Sequence, residues 1–196
     1  MLKYSQPQKL QRYGYLLVIL LAMMLAGSCA TDTSKYLRQG HKYAAAGEWD
    51  NSVRFFQKAH DEDPENTEIN LMLKRSKFES SRMHMINGES YLAQELFNEA
   101  INEFRISMAM NPANTRAAEL EGKAQRLLDA RHYFKQGQNY LKTQKFIPAR
   151  QAFEKAAALD PDFEPARKAL SYYRKKDTDT GTYKLNEESD APVSFK

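Results

Sequence analysis

Three stretches of this chain, each of 25 residues, match one another position by position without a gap. They run from Gly40 to Pro64, from Gly88 to Pro112 and from Gly137 to Pro161. Self-similarity of this kind is the sequence signature of repeat architectures. The chain is therefore expected to use one structural unit three times.

Seven positions in each copy carry the agreement. In chain order they are a glycine, a tyrosine, an aromatic residue, a small residue, a phenylalanine, a second small residue and a proline: Gly40, Gly88, Gly137; Tyr43, Tyr91, Tyr140; Trp49, Phe97, Phe146; Ser52, Ala100, Ala149; Phe56, Phe104, Phe153; Ala59, Ser107, Ala156; Pro64, Pro112, Pro161. Apolar and small residues at helical spacing predict helices that each carry one apolar stripe. The proline predicts where the second helix ends. We expect the glycine, tyrosine, phenylalanine and proline of each copy to form the repeat core.

This pattern resembles the tetratricopeptide repeat (TPR), a helix–turn–helix unit that stacks into solenoids. The resemblance covers residues 34–176 and implies an all-α fold, a TPR-like solenoid of helical hairpins. The implied repeats are about 34–66, 67–114 and 115–163, and a terminal helix follows them.

The spacing of the copies departs from the family. Their closing prolines are 48 and 49 residues apart, whereas a tetratricopeptide repeat recurs every 34 residues or so. The surplus is close to four helical turns, which take about 14.4 residues, so the facing of each apolar stripe is preserved. We predict extended first helices at Thr67–Ala93 and Thr115–Lys142. Alternatively, each insert is a separate third helix, with a break near Ser80–Ser81 or at Asp129.

The N-terminus has the pattern of an export signal. Basic residues at Lys3, Lys9 and Arg12 precede an apolar run from Leu16 to Leu25. That run is shorter than the roughly 20 apolar residues that a membrane-spanning helix needs. A removed signal peptide is the prediction; an uncleaved N-terminal anchor is the alternative.

The apolar run is followed by the motif LAGSC, which contains Cys29, the only cysteine of the chain. The motif resembles the lipobox of bacterial lipoproteins, with small residues before a cysteine that receives diacylglycerol. The resemblance implies a signal peptide at 1–28, lipid attachment at Cys29 and a short tether at 29–33. It also implies a place in the cell envelope, at the outer membrane facing the periplasm. Cleavage after Ala30 by ordinary signal peptidase is the alternative.

Motifs for catalysis are missing from the sequence. The four histidines His41, His60, His84 and His132 are scattered, and none pairs with another at metal-ligand spacing on one helical turn. The chain contains no nucleophile elbow and no phosphate-binding glycine loop. We therefore expect no enzyme activity, no cofactor, no metal and no small-molecule substrate. Acidic residues are mixed among the basic ones, for a net charge of +4, and this pattern argues against nucleic-acid binding.

The family resemblance also implies a binding face. In tetratricopeptide repeats, ligands often lie along the first helices. Carried over by position, this face consists of three residues per copy: Leu37, His41, Ala44; Met85, Glu89, Leu92; Phe134, Gln138, Leu141. It is mostly apolar with a polar edge and suits an amphipathic helix or an extended peptide. The alternative is that the extended helices bury these residues against one another.

Together these features predict a lipid-anchored, non-catalytic protein-interaction scaffold. Its partners would be proteins or peptides of the cell envelope, in envelope assembly, secretion or pilus biogenesis. The alternative is the repeat-bearing N-terminal region of an outer-membrane secretin, as in type II secretion or type IV pilus systems, with its pore domain beyond Lys196. That alternative rests on the segment PVSF, which resembles the first strand of a following domain, at the end of the polar tail predicted at 177–196.

Overall fold

The structure, a computed structural model, describes residues 32–180, and every regular element in this range is an α-helix. There are seven: α1 (32–45), α2 (Trp49–Glu62), α3 (Thr67–Ala93), α4 (Phe97–Met110), α5 (Thr115–Lys142), α6 (Phe146–Leu159) and α7 (Glu164–Thr180). The predicted all-α, TPR-like fold is confirmed for this range. The predicted signal peptide, Cys29 and the PVSF segment lie outside the described residues.

The chain divides into two compact units. The first ends at Met83 and the second begins at His84, so α3 supplies residues to both. In the second unit each helix from α4 to α7 packs against the next one in the chain. Its apolar cores surround Phe104 and Phe153, one in each hairpin.

The first helix of every copy ends in the same left-handed turn. The residues at its centre are Gly47, Glu95 and Gln144, with φ of 74°, 59° and 57°. The N–H of the following residue donates to the carbonyl of the repeated tyrosine five positions earlier, at 2.9, 3.0 and 2.9 Å in the three copies. The N–H of the turn residue itself donates to the carbonyl three positions earlier. These two bonds form a Schellman motif, which satisfies carbonyls that the helix end leaves free.

The second helix of every copy ends just before the repeated proline. Its C-cap is Asp63, Asn111 or Asp160 in the three copies. The next helix begins shortly afterwards, and Asn66 and Asn114 cap α3 and α5 by accepting from backbone N–H groups of the first turn. A side chain at this position replaces a hydrogen bond that the helix start cannot make.

The two extended helices have the predicted bounds, Thr67–Ala93 and Thr115–Lys142. The alternative of a third helix in each insert is wrong, because α3 continues through Ser80–Ser81 and α5 through Asp129. Ser80 and Ser81 are buried small residues, not a turn. Asp129 accepts a hydrogen bond from the side chain of Gln125 one helical turn earlier, at 3.1 Å, which is an interaction within the helix.

The helical region is wider than predicted at both ends. Residues 32–33, predicted as part of the tether, belong to α1, and residues 177–180, predicted as part of the tail, belong to α7. Asp32 is the first described residue of α1, and an acid near a helix start is stabilised by the macrodipole. No glycine or proline interrupts α7 between Ala166 and Thr180, so the signal that would end a helix is absent until Gly181.

The core of the first unit contains hydroxyl groups as well as apolar side chains. Ser52 of α2 and Ser76 of α3 are buried, and their Oγ atoms lie 2.9 Å apart. Ser52 also donates to the carbonyl of Gly40 at 3.1 Å. Ser80 of α3 donates to Asp50 Oδ1. Since a hydroxyl has one proton, Ser76 must donate to Ser52, so the buried groups depend on one another.

Candidate protein-binding site

A glycine of each first helix lies directly against the phenylalanine sixteen residues later. A Cβ atom added at the glycine would lie 2.7, 2.6 and 2.6 Å from the nearest ring atom in the pairs Gly40–Phe56, Gly88–Phe104 and Gly137–Phe153. All three phenylalanines are fully buried. The repeated glycine is therefore required by close approach of a ring to the helix backbone, and the contact fixes which face of the first helix turns inward.

The other repeated positions have several roles. Tyr43 is half-buried and stacks on Phe55, with ring centroids 5.3 Å apart. Tyr91 and Tyr140 pack against the cores around Phe104 and Phe153. The repeated small residues Ser52, Ala59, Ala100, Ser107, Ala149 and Ala156 are buried, whereas Pro64, Pro112 and Pro161 are exposed. The prolines therefore lie outside the core and stand where the second helix of each copy has ended.

In the first copy, the three predicted binding residues lie on α1. Leu37 and Ala44 are half-buried, and His41 is exposed. The ring of His41 meets the edge of Phe56 at 5.1 Å and 85°. His41 thus covers part of the buried Phe56 ring and is itself exposed to solvent.

In the second copy, the apolar members of the predicted set belong to a core. Met85 and Leu92 pack against the cluster that contains Phe104. Glu89 remains accessible and accepts two hydrogen bonds from Arg116, at 3.0 Å from Nε and 2.7 Å from Nη2. All three residues are half-buried, and the polar member is already paired with Arg116.

The third copy repeats this division. Phe134 lies 5.4 Å from the ring of Phe153 and 5.1 Å from that of Phe163, and Leu141 is buried. Gln138 is half-buried. The polar members of the predicted set are thus His41, which is exposed, and Glu89 and Gln138, which are half-buried, each directly after the repeated glycine.

Arg131 of α5 is an interaction centre that the sequence analysis missed. Its Nη1 donates to Asp160 Oδ2 at 2.7 Å, and its Nη2 donates to Glu95 Oε1 at 3.2 Å. The guanidinium lies 3.7 Å from the ring centroid of Phe163 and 5.4 Å from that of Phe97. The planar group therefore joins α5 to the α3–α4 turn and to the α6–α7 turn by charge and by stacking.

One sequence signal could have pointed to Arg131. Phe163 occupies the position at which the earlier copies have the capping residues Asn66 and Asn114. An aromatic residue in place of a cap indicates that another group holds this turn, and here Arg131 stacks on it.

His84 and Glu103 form a second pair that sequence analysis did not identify. Nδ1 of His84 lies 2.6 Å from Glu103 Oε2, and their side chains are only 10% and 17% exposed. The histidine was one of four regarded as scattered. Its partner lies nineteen residues later on α4, a separation that no local pattern reveals.

The described residues offer little other chemistry. Within residues 32–180, no three His, Cys, Asp or Glu side chains come together to hold a metal ion. None of the helices described is both long and apolar enough to cross a membrane. On α7, a hydrogen bond from Lys168 and its positive charge hold the pKa of Glu164 below its usual value, at an Nζ–Oε1 distance of 2.8 Å. This exposed pair is a local helix interaction.

No protein-family model and no curated protein matches this chain. Among solved structures, the chain is similar to the crystal structure of the MamA protein, with 20% identity and a TM-score of 0.23, over 80% of this chain and 97% of that one. It is also similar to the first TPR of Spaghetti (RPAP3) bound to the HSP90 peptide SRMEEVD, with 18% identity and a TM-score of 0.19, over 74% of this chain and 93% of that one. At these values neither structure carries an argument about partners, and the TPR-like fold is assigned from the helical hairpins of the chain itself.

Proposed function

We propose that this protein is a non-catalytic protein-interaction scaffold held at the cell envelope by a lipid on Cys29. One observation carries the scaffold part of the proposal. In each copy the contact between glycine and phenylalanine fixes the orientation of the first helix, so the residue after the glycine has the same place relative to that phenylalanine in all three copies. Such repetition suits recognition of an extended chain or helix.

The proposed contacts combine polar and apolar groups. His41, Glu89 and Gln138 supply hydrogen-bonding groups, and half-buried residues such as Leu37 and Ala44 supply apolar area. A peptide with alternating apolar and polar side chains fits this composition. Envelope proteins in assembly, secretion or pilus biogenesis are the proposed source of the peptide.

Crosslinking in intact cells tests the scaffold. A photoreactive amino acid at Gln138 should yield a defined protein adduct upon irradiation. Gln151 is the matched control, because it is the same residue type, exposed, and on the second helix of the same hairpin. Equal adducts from both positions, or none from Gln138, would contradict a binding face on the first helices.

The lipid anchor has a separate test. Cys29→Ala should abolish globomycin-sensitive processing and release the protein from the membrane fraction, because the lipid would be attached to the sulfur atom of Cys29. Ser28→Ala is the control, since it keeps a small residue before the cysteine and should be processed normally. Unchanged membrane partitioning of Cys29→Ala would show that another segment holds the protein.

The second candidate function is the N-terminal region of a secretin. It is favoured only by the PVSF segment, which resembles the start of a following β-containing domain. Sequencing the genomic reading frame through and beyond Lys196 tests this candidate. A stop codon immediately after Lys196 would eliminate it, whereas an open frame that encodes a β-rich domain would favour it over the scaffold that acts alone.

A further inference from the structure

The outer face of α3 in the first unit exposes two large apolar side chains. Leu71 is 59% exposed and Phe78 is 56% exposed. They are seven residues apart and so lie on the same face of the helix, about 10.5 Å apart along its axis. The buried residues Ile69, Ser76 and Ser80 occupy the opposite face. The protein's own core therefore does not use Leu71 and Phe78.

Cationic side chains surround these two residues. Lys74, Arg75 and Arg82 are exposed at positions i+3, i+4 and i+11 from Leu71, on the same face. Arg82 has Glu79 at 3.6 Å, and Glu68 is exposed near the helix start. Among the described residues, Lys74 and Arg75 have no ion-pair partner. The centre of the face, between Leu71 and Phe78, is thus positively charged.

The corresponding part of α5 lacks this surface. Forty-eight residues later, Glu119 stands at the position of Leu71 and Arg126 at that of Phe78. Lys123 corresponds to Arg75. The apolar pair is therefore not a general property of the extended helix, and α5 supplies a matched control.

Charge decides what could cover this face. If α3 of a second copy packed antiparallel with Leu71 against Phe78, Lys74 of each copy would face Arg75 of the other. Like charges placed opposite each other oppose such an interface. An anionic membrane surface typically attracts clusters of about four to eight basic residues, and here carboxylates interrupt the cations.

We propose that the face formed by Leu71, Lys74, Arg75, Phe78 and Arg82 docks an acidic amphipathic helix of a partner protein. Its apolar residues, also spaced by two turns, would cover Leu71 and Phe78. Its carboxylates would pair with Lys74 and Arg75. This surface is formed by the part of α3 that precedes Met85 and contains none of the residues of the predicted binding set, so it adds a second interaction site to the scaffold.

A peptide titration tests the surface. The full chain is held in phosphatidylcholine nanodiscs and titrated into a fluorescein-labelled synthetic helix that has leucine at i, i+3 and i+7 and glutamate at the flanking positions. Fluorescence anisotropy should show saturable binding that weakens as salt is raised. Leu71→Glu with Phe78→Glu, and separately Lys74→Glu with Arg75→Glu, should each weaken binding at least tenfold. Lys123→Glu with Arg126→Glu on α5 should leave it unchanged.

Other outcomes overturn the proposal. The proposal is wrong if the peptide does not bind at concentrations up to millimolar, or if a scrambled peptide of the same composition binds equally well. It is also wrong if the α5 control variant loses as much peptide affinity as the α3 variants. Sedimentation with phosphatidylglycerol vesicles that requires Leu71 and Phe78, without peptide binding, would assign the face to a membrane. Concentration-dependent self-association abolished by the same variants would assign it to a second copy. Circular dichroism verifies that every variant is folded. The crosslinking test at Gln138 is independent of this titration, so failure of the α3 proposal can be distinguished from failure of the scaffold proposal.

Discussion

The first halves of α3 and α5 lengthen the repeat by almost the same amount, yet they bury different chemistry. α3 places the hydroxyls of Ser76, Ser80 and Ser81 in the interior. α5 buries only alanines among its small residues there: Ala117, Ala124 and Ala130. Both choices allow close helix packing, because both residue types are small.

In the first unit, two buried hydroxyls form a hydrogen-bonded pair. Ser52 of α2 occupies the position where the other copies have Ala100 and Ala149. Its Oγ makes the bond with Ser76, so a serine on one helix is matched by a serine on the next. An unmatched buried hydroxyl would lose its water without gaining a partner.

The largest effect on stability is expected at the contact between glycine and phenylalanine, which both extended helices share. Phe104→Ala and Phe153→Ala remove the rings that pack on Gly88 of α3 and Gly137 of α5. Each should lower the free energy of unfolding by about 3–5 kcal/mol, because the ring leaves a cavity against a helix backbone. Urea denaturation measures this loss, and Ile147→Ala, at a position 58% exposed, is the control. If the two variants lost clearly different free energies of unfolding, the contact would not be equivalent in the two copies.

An intermediate effect should separate the two interiors. Ala124→Ser places an unmatched hydroxyl in the core of the second unit and should cost about 1–3 kcal/mol. Ser76→Ala should cost less, about 1 kcal/mol, since Ser52 still donates to Gly40. The double variant Ser52→Ala with Ser76→Ala should cost less than the sum of the single changes. If Ala124→Ser proved neutral in urea denaturation, the contrast between the interiors would lose its energetic basis.

The smallest effect concerns the left-handed turns. Gln144→Gly should raise the stability by about 0.5–1 kcal/mol, because an L-residue is strained at φ of 57°. Gly47→Ala should lower it by a similar amount at the equivalent turn. Thermal unfolding compares the two variants with the parent chain. A lower midpoint for Gln144→Gly would mean that its side chain contributes more than the backbone strain removes.

The helical framework could be predicted because it depends on local spacing. A surplus of four turns in the repeat gave the correct bounds of α3 and α5, and the repeated proline gave the ends of α2, α4 and α6. The left-handed turns were harder to predict. Only Gly47 signals such a conformation, whereas Glu95 and Gln144 adopt it because the hairpin requires it.

The accessible surface was less predictable than the framework. Whether Met85, Leu92 or Phe134 faces a partner or a core depends on helices that follow them in the chain. Arg131 and Asp160 are twenty-nine residues apart, and His84 and Glu103 are nineteen apart. In each pair the two residues belong to different elements of the fold, so three-dimensional packing is needed to reveal the contact.

The contact between glycine and phenylalanine has a consequence for how such sequences diverge. A methyl group cannot enter at Gly137 unless the ring at position 153 shrinks or shifts, so the two positions are constrained to change together. Among related chains, alanine at the first position should accompany leucine or a smaller residue at the second. Paired variation sixteen residues apart would then identify this hairpin in sequences that are too divergent to align by identity.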